Sequence, residues 1–338
     1  MIVALTGGIG GAKLALGLSR VLPPRELTLV VNTGDDFEHL GLAISPDLDT
    51  VMYALAGIDN PETGWGRRDE SWRMMTALAT LGGPTWFRLG DLDLATHLER
   101  TRRLRAGELL SAVTADFCER LGIGCRVLPM SDDPVRTRVG IRSAGERVDG
   151  PADDGAAEDG TDPLAWLDFQ DYFVRQHCIP RVAAIRYDGA AAARPLPALL
   201  AALADPRLRA VVICPSNPWL SVDPMLAIPD LRAALSGCRA PVIAVSPIIA
   251  GRAVKGPTAK IMGELGLEVS AAAVASHYGP LIDAFVVDPA DGGPLDAGLG
   301  SDALTVVRLP TLMTTLAERE SLARALVSLA DSAPRHVE

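Results

Sequence analysis

Short, unbroken apolar runs recur along the chain, and amphipathic stretches of helical period separate them. The runs predict strands at Ile2–Leu5, Leu27–Val31, Arg126–Pro129, Ala210–Cys214, Pro241–Val245 and Ala284–Val287. The stretches between and after them predict helices at Ala12–Val21, Asp49–Ala56, Ser71–Ala79, Ala95–Arg105, Leu109–Leu121, Pro197–Ala204 and Leu316–Ala330. A strand without a polar face is covered on both sides, and an intervening helix supplies the right-handed crossover that parallel strands need. The expected fold class is α/β and Rossmann-like, a mostly parallel sheet with helices on both faces. The segment Gly145–Asp162, GERVDGPADDGAAEDGTD, breaks the pattern. Its Gly, Ala and Asp content predicts a mobile surface insertion in one integrated unit spanning residues 1–338.

Composition narrows the function classes. The 338 residues are 48% hydrophobic and only 4% aromatic, enough for a large aliphatic core. The net charge of -10 argues against nonspecific nucleic-acid binding and against adhesion to an anionic membrane. An anionic substrate must therefore be met by local cations. No apolar run approaches the ~18 residues of a spanning helix, and the first residues read as a strand rather than a signal peptide. A cytoplasmic protein is expected. Its five cysteines form no C-x-x-C pair, so reduced thiols are expected and a zinc site is not.

The chemistry gathers after the apolar runs. Gly7, Gly8, Gly10 and Gly11 follow the first strand, with Lys13 close behind. The dinucleotide fingerprint G-x-G-x-x-G fails, because Lys13 stands where its third glycine belongs. Walker A fails too, since Ala12 precedes Lys13 and Leu14 follows it. The mechanism survives without the motif: glycines let backbone amides approach an anion at a helix start, and Lys13 adds a charge. The second strand ends in Asn32, Thr33, Asp35 and Asp36. Asp47 and Asp49 open the next helix, where either can serve as an N-cap. Carboxylates converging beside a phosphate suit Mg2+, and Asp49 with Asp36 is the expected ligand pair. Asp93 is expected to cap the helix near Leu94, with Arg88 and Asp91 on the loop before it and His97 a structural histidine inside it. Ser131, Asp132 and Asp133 follow the third predicted strand, where a plain turn explains them as well as a site does. Ser216 and Asn217, and further on Arg252, Lys255 and Lys260, follow later strands at the edge where open α/β sheets bind ligands.

Taken together, GGIGGAKL, VVNTGDD, ISPDLDTVMYALAG, RLGDLDLATH, VLPMSDDPVRT, PSNPWLSVDPMLAI and VSPIIAGRAVKGPTAKIM resemble the 2-phospho-L-lactate transferase family, in order from Met1 to about Leu316. One departure is Ile9, where the family commonly has Thr in a GGTGG-like loop. The resemblance implies a Rossmann-like homodimer that requires Mg2+. It implies a guanosine diphosphate conjugate of a small acid (phospholactate, phosphoenolpyruvate or 3-phosphoglycerate) as donor. The phospho-acid would pass to the ribityl 5′-hydroxyl of 7,8-didemethyl-8-hydroxy-5-deazariboflavin (Fo), with release of GMP, in the biosynthesis of coenzyme F-420. By matching motif positions, Asp49 and Arg88 would contact the deazaflavin.

The residues themselves fit such chemistry. Phosphoryl-type transfer needs positioning and charge neutralisation more than covalent help from the protein. Gly7, Gly8, Gly10, Gly11 and Lys13 are candidates to cradle the diphosphate. Ser216, Asn217, Arg252 and Lys255 are candidates for nucleotide recognition. Asp49, and after it Asp91, are candidates to orient or deprotonate the acceptor hydroxyl. On this reading Asp49→Asn abolishes turnover and leaves the fold intact. Other readings remain open. The nucleotide-sugar-binding regulators linked to gluconeogenesis and cell shape share a similar glycine loop, though ISPDLDT and GDLDLATH resemble the transferases. A Rossmann oxidoreductase is disfavoured by the failed fingerprint, and a scaffold by the density of polar strand ends.

Overall fold

The computed structural model describes residues 1–142, 164–291 and 304–333. The expected insertion at 145–162 lies outside them. In chain order the elements begin β1 (Ile2–Thr6), α1 (Gly8–Val21), β2 (Leu27–Val31), β3 (Phe37–His39), β4 (Leu42–Ile44), α2 (Pro46–Ala56), α3 (Arg73–Thr80), α4 (Asp91–Arg105), α5 (Leu110–Arg120), β5 (Arg126–Pro129), β6 (Arg136–Arg142) and β7 (Leu164–Asp168). They continue β8 (Val182–Asp188), α6 (Pro197–Leu203), β9 (Ala210–Ile213), α7 (Asp223–Leu226), α8 (Pro229–Ser236), β10 (Val242–Val245), β11 (Ile248–Ile249), β12 (Arg252–Ala253), α9 (Thr258–Glu264), α10 (Ala271–Tyr278), β13 (Ala284–Val287), β14 (Thr305–Arg308) and α11 (Leu316–Ala330).

Seven strands form the central sheet in the order β14-β13-β10-β9-β1-β2-β5, and every pairing in it is parallel. Ile2 of β1 pairs with Leu27 on one side and Ala210 on the other. The chain winds outward from β1 to β2 and β5, then returns to β9 and winds the opposite way. The strand order therefore reverses between β1 and β9, and ligands of open α/β sheets bind outside the carboxyl ends of strands at such a point.

Alternate residues of each strand feed two cores. Ile2, Ala4, Leu29, Val31, Val212 and Ile243 pack under α1, α2 and α11. Val3, Leu5, Val30, Val211, Ile213 and Phe285 pack on the other face with α6, α8 and α10. Burial of strand residues on both faces is what their unbroken apolar character requires.

The structure adds elements that the apolar runs did not reveal. β6 is flanked by β7 and β8 in an antiparallel sheet. Its residues Thr137, Val139 and Ile141 are buried while Arg136, Arg138 and Arg142 are not, the alternation of a strand with one covered face. Phe37–His39 and Leu42–Ile44 pair as a hairpin. Helix starts also shift. α1 begins at Gly8 rather than Ala12. Ser45 is the N-cap residue of α2, not Asp47 or Asp49. Gly90 is that of α4, so Asp93 is no cap. All five cysteines are free, and among the described residues no helix is long and apolar enough to cross a membrane.

Candidate active site

At the switch point, the segment after β1 is bonded to the segment after β9. Ser216 Oγ accepts from the Gly7 amide at 3.1 Å and donates to the Gly7 carbonyl at 2.8 Å. The glycines serve this close approach. A Cβ on Gly10 would lie 2.5 Å from Pro215 O, and one on Gly11 would lie 2.5 Å from Ser216 Oγ and 2.3 Å from Thr6 Oγ1. A Cβ on Gly7 would strike Asp47 Oδ2 at 2.4 Å. Gly8 alone of the four has positive φ, +63°. α1 can thus start early, its first turn pressed against the end of β9. Of the four amides that a helix start leaves without intrahelical acceptors, Gly7 and Gly8 are taken, by Ser216 and by Asp47 Oδ1 at 2.6 Å. Ile9 and Gly10 supply the other two.

Beside this helix start lies a nest of carboxylates. Asn32, at the end of β2, donates through Nδ2 to Asp35 Oδ1 at 3.2 Å and to Asp47 Oδ2 at 3.0 Å. Its Oδ1 accepts from the Gly34 amide at 2.8 Å. Asp36 Oδ2 accepts from the Ser45 hydroxyl at 2.8 Å, whereas Asp36 Oδ1 and Thr33 Oγ1 are buried without a hydrogen-bond partner. Burial pushes Asp36 up to about 7 and Asp47 to about 6. It raises Asp35 as well, helped by the neighbouring charges of Asp47 and Asp36. Thr33, Asp36, Ser45 and Arg136 line a cleft of ≈ 190 Å³ with Phe37 and Leu109.

Asp49 belongs to a different network. Arg100 of α4 grips both of its oxygens, Nη1 at 3.0 Å from Oδ2 and Nη2 on Oδ1. Burial works against the Arg100 charge, but Asp49, with smaller help from Tyr53 and Asp36, offsets it and the guanidinium pKa is raised. His97 lies between Asp49 Oδ2 (3.6 Å) and Asp93 Oδ2 (3.3 Å). The Tyr53 hydroxyl donates to Asp93 Oδ1 at 2.6 Å. Asp49, Asp93 and His97 could bring donor atoms within 4.8 Å of one another. Yet Asp49 is already matched by a guanidinium, and one donor is nitrogen, which suits a hard cation poorly. Asp36, with an unengaged oxygen and other carboxylates nearby, is the better fit to Mg2+.

The remaining expected residues are placed as follows. The Arg88 guanidinium stacks on the Trp72 ring at 4.1 Å. Asp91 accepts from the Ser71 hydroxyl and from the amides of Arg73 and Met74, both at 3.2 Å. It therefore satisfies the start of α3, and these hydrogen bonds, that of Ser71 foremost, lower its pKa. Glu70 returns the arrangement by accepting from Leu92 and Asp93 at the start of α4, at 2.7 Å each. Asn217 Oδ1 caps the π-turn at Pro218–Val222, and its Nδ2 is buried without a partner. Lys13 is half-buried near Lys255 and Arg319, while Arg252 is exposed on the β11–β12 hairpin. Lys260 is held by Glu264 and the Pro180 carbonyl, at 2.6 and 3.0 Å. Arg100 and Arg319 escaped the sequence reading. Only the spacing of Arg100 from His97 on one helix face could have pointed to it.

Comparison with known proteins bears on the fold and on the family. A protein of the UPF0052 family from Bacillus halodurans shares the fold, with a TM-score of 0.57 at 14% identity over 96% of this chain and 98% of that one. A phosphoenolpyruvate transferase of Kitasatospora aureofaciens is 42% identical over 333 residues, 98% of each chain. That of Streptomyces coelicolor is 39% identical over 340 residues, also 98% of each. That of Mycobacterium ulcerans is 37% identical over 346 residues, covering 97% of this chain and 98% of its own. The family profile described as 2-phospho-L-lactate transferase CofD matches residues 2–296. The chain belongs to the 2-phospho-L-lactate transferase CofD family.

Proposed function

We propose that this protein transfers the enolpyruvyl phosphate of a guanosine diphosphate conjugate to the ribityl 5′-hydroxyl of the deazaflavin Fo, releasing GMP. The observation that carries this reading is a helix start at the switch point whose Gly8 amide is held by Asp47, with Asp36 and its unengaged oxygen just beyond the neighbouring strand β2, in a chain of this family. Enolpyruvate is preferred over lactate or glycerate because relatives matched over nearly their full length are named phosphoenolpyruvate transferases.

In the reaction, the ribityl oxygen forms a bond to the phosphorus that carries the acid. The bond from that phosphorus to the bridging oxygen breaks, and GMP departs with the electron pair. The ribityl proton passes to a carboxylate of the crevice. Asp35 and Asp47 are suited to take it, since burial has raised their proton affinity. Both oxygens of Asp49 are committed to Arg100 and those of Asp91 to α3, so these two position rather than accept. Bound Mg2+ would neutralise phosphate charge, with Asp36 as its carboxylate ligand. Ile9, Gly10 and Lys13 would hold the diphosphate, Ser216 and Asn217 the nucleoside side, and Arg252 and Lys255 the approach to it. Arg88 would meet the deazaflavin from its stack on Trp72. A homodimer belongs to the same reading.

The test is product analysis by mass, with Fo, Mg2+ and each of the three guanosine-diphosphate acids. A deazaflavin phosphodiester formed fastest from the enolpyruvyl donor supports the reading. Preference for another acid corrects the substrate, and nucleotide binding without product overturns the transfer.

A further inference from the structure

Three cations gather along α1 near its start, and none of them is ion-paired among the described residues. Lys13 lies beyond the first glycines, and burial, then the charges of Arg319 and Lys255, lower the pKa of its ammonium against a smaller opposing effect of Glu318. Lys255 arrives from the segment before α9. Its Nζ lies 3.5 Å from where a Cβ on Gly64 would stand, and that Cβ would touch Ile9 at 3.0 Å. Arg319 arrives from the first turn of α11, which presses so closely on α1 that a Cβ on Gly17 would lie 2.3 Å from Arg319 O. Arg319 Nε is buried without a hydrogen-bond partner. Lys13, Lys255 and Arg319 form no ion pair among the described residues. The adjacent acid, Glu318, is occupied by Thr314 and Thr315. On a chain of net charge -10 such a cluster is not a sample of the average surface. Unpaired like charges repel, so the arrangement costs stability unless an anion joins it.

We propose that Arg319 is a diphosphate-binding residue that completes, with Lys13 and Lys255, a subsite for a nucleoside diphosphate at the start of α1. The inference rests on the nucleotide-donor reading above and adds a residue that lies beyond the stretch matched by the family profile. A guanidinium presents a planar fork that matches two phosphate oxygens, whereas the two ammonium groups act as point charges. One phosphate at the helix amides and a second among the cations would account for both features.

The test compares GDP with GMP by calorimetric titration of the full chain, using the wild type, Arg319→Gln and Arg319→Lys. Loss of a charge-assisted contact to the second phosphate is expected to weaken GDP binding by about tenfold or more. GMP binding should change by less than about threefold, since it lacks that phosphate, and Arg319→Lys should fall between. Equal losses for GDP and GMP, or unchanged GDP binding, overturn the proposal. Melting temperatures identify a folding defect in Arg319→Gln. In that case Lys255→Gln, altered on an exposed segment, replaces it in the same titrations, and the same outcomes support or overturn the subsite. ADP and UDP run in parallel separate the two claims. If the wild type prefers one of these over GDP, the guanosine reading fails, while the diphosphate-to-monophosphate contrast of the preferred nucleoside still decides the role of Arg319. If no nucleoside diphosphate binds, the subsite is refuted.

Discussion

Arg100 on α4 holds both carboxylate oxygens of Asp49 on α2, across 51 positions of sequence and with only 1% of the arginine side chain exposed. Removing one partner of a buried pair strands the other charge, at a cost of about 3–5 kcal/mol. Asp49→Asn is therefore expected to lose stability as well as turnover, in contrast to the intact fold that the sequence led us to expect. Arg100→Met should lose a similar amount. The double variant should be more stable than either single one and still inactive. Chemical denaturation of the four proteins closes the cycle, and additive losses would show that the pair is not coupled.

Buried Asp36 sets a pH dependence. Its folded pKa, raised from 3.8 to about 7 by burial, exceeds the unfolded value, so the folded state binds more protons between these limits. Stability therefore falls as pH rises through this window, by at most on the order of 4 kcal/mol from this group. Asp47, raised to about 6, acts in the same direction. Asp205 and Glu318, held near 2 by hydrogen bonds, titrate below the window. In EDTA the melting temperature should be higher at pH 5 than at pH 8. Mg2+ should recover part of the difference at pH 8, and Asp36→Asn should flatten the slope. A melting temperature that climbs from pH 5 to pH 8 in EDTA would contradict this placement of the carboxylates.

Gly10→Ala tests the contact at the switch point. Alanine normally gains about 1 kcal/mol over glycine inside a helix. Here its methyl group would meet the Pro215 carbonyl at 2.5 Å, and overpacking of that kind costs about 1–3 kcal/mol. A net loss of stability is expected, with weakened GDP binding. A more stable protein would mean that β9 and α1 can separate freely.

Trp72→Leu removes the ring on which Arg88 stacks at 4.1 Å. Such a contact is worth about 0.5–1 kcal/mol, so the KM for the deazaflavin should rise about two- to fivefold. The Kd for GDP should not change. An altered GDP affinity with unchanged acceptor KM would place Arg88 on the nucleotide side.

Six strands of the central sheet were legible because burial on both faces leaves an unbroken apolar signature, as in Leu27–Val31 and Ala284–Val287. β14 was missed at the sheet edge, where Val306 and Val307 are only partly buried and Arg308 is exposed. The glycine segment marked the helix start, but not that Gly7, Gly10 and Gly11 make room for Asp47, Pro215 and Ser216. Those neighbours are local to other strands, and no spacing in the glycine segment encodes them. Likewise Asp91 and Asp49 were legible as acids beside a site. Their hydrogen-bond partners, Ser71 and Arg100, arrive only with tertiary structure.

The central claim is the transfer itself, and the most direct measurement is its stoichiometry. Purified protein is mixed with limiting enolpyruvyl guanosine diphosphate, Mg2+ and excess Fo, and GMP and deazaflavin phosphodiester are quantified together. One GMP per phosphodiester, with no GMP when Fo is omitted, is the expected result. GMP released equally with and without Fo, or tight nucleotide binding with neither product, would contradict it.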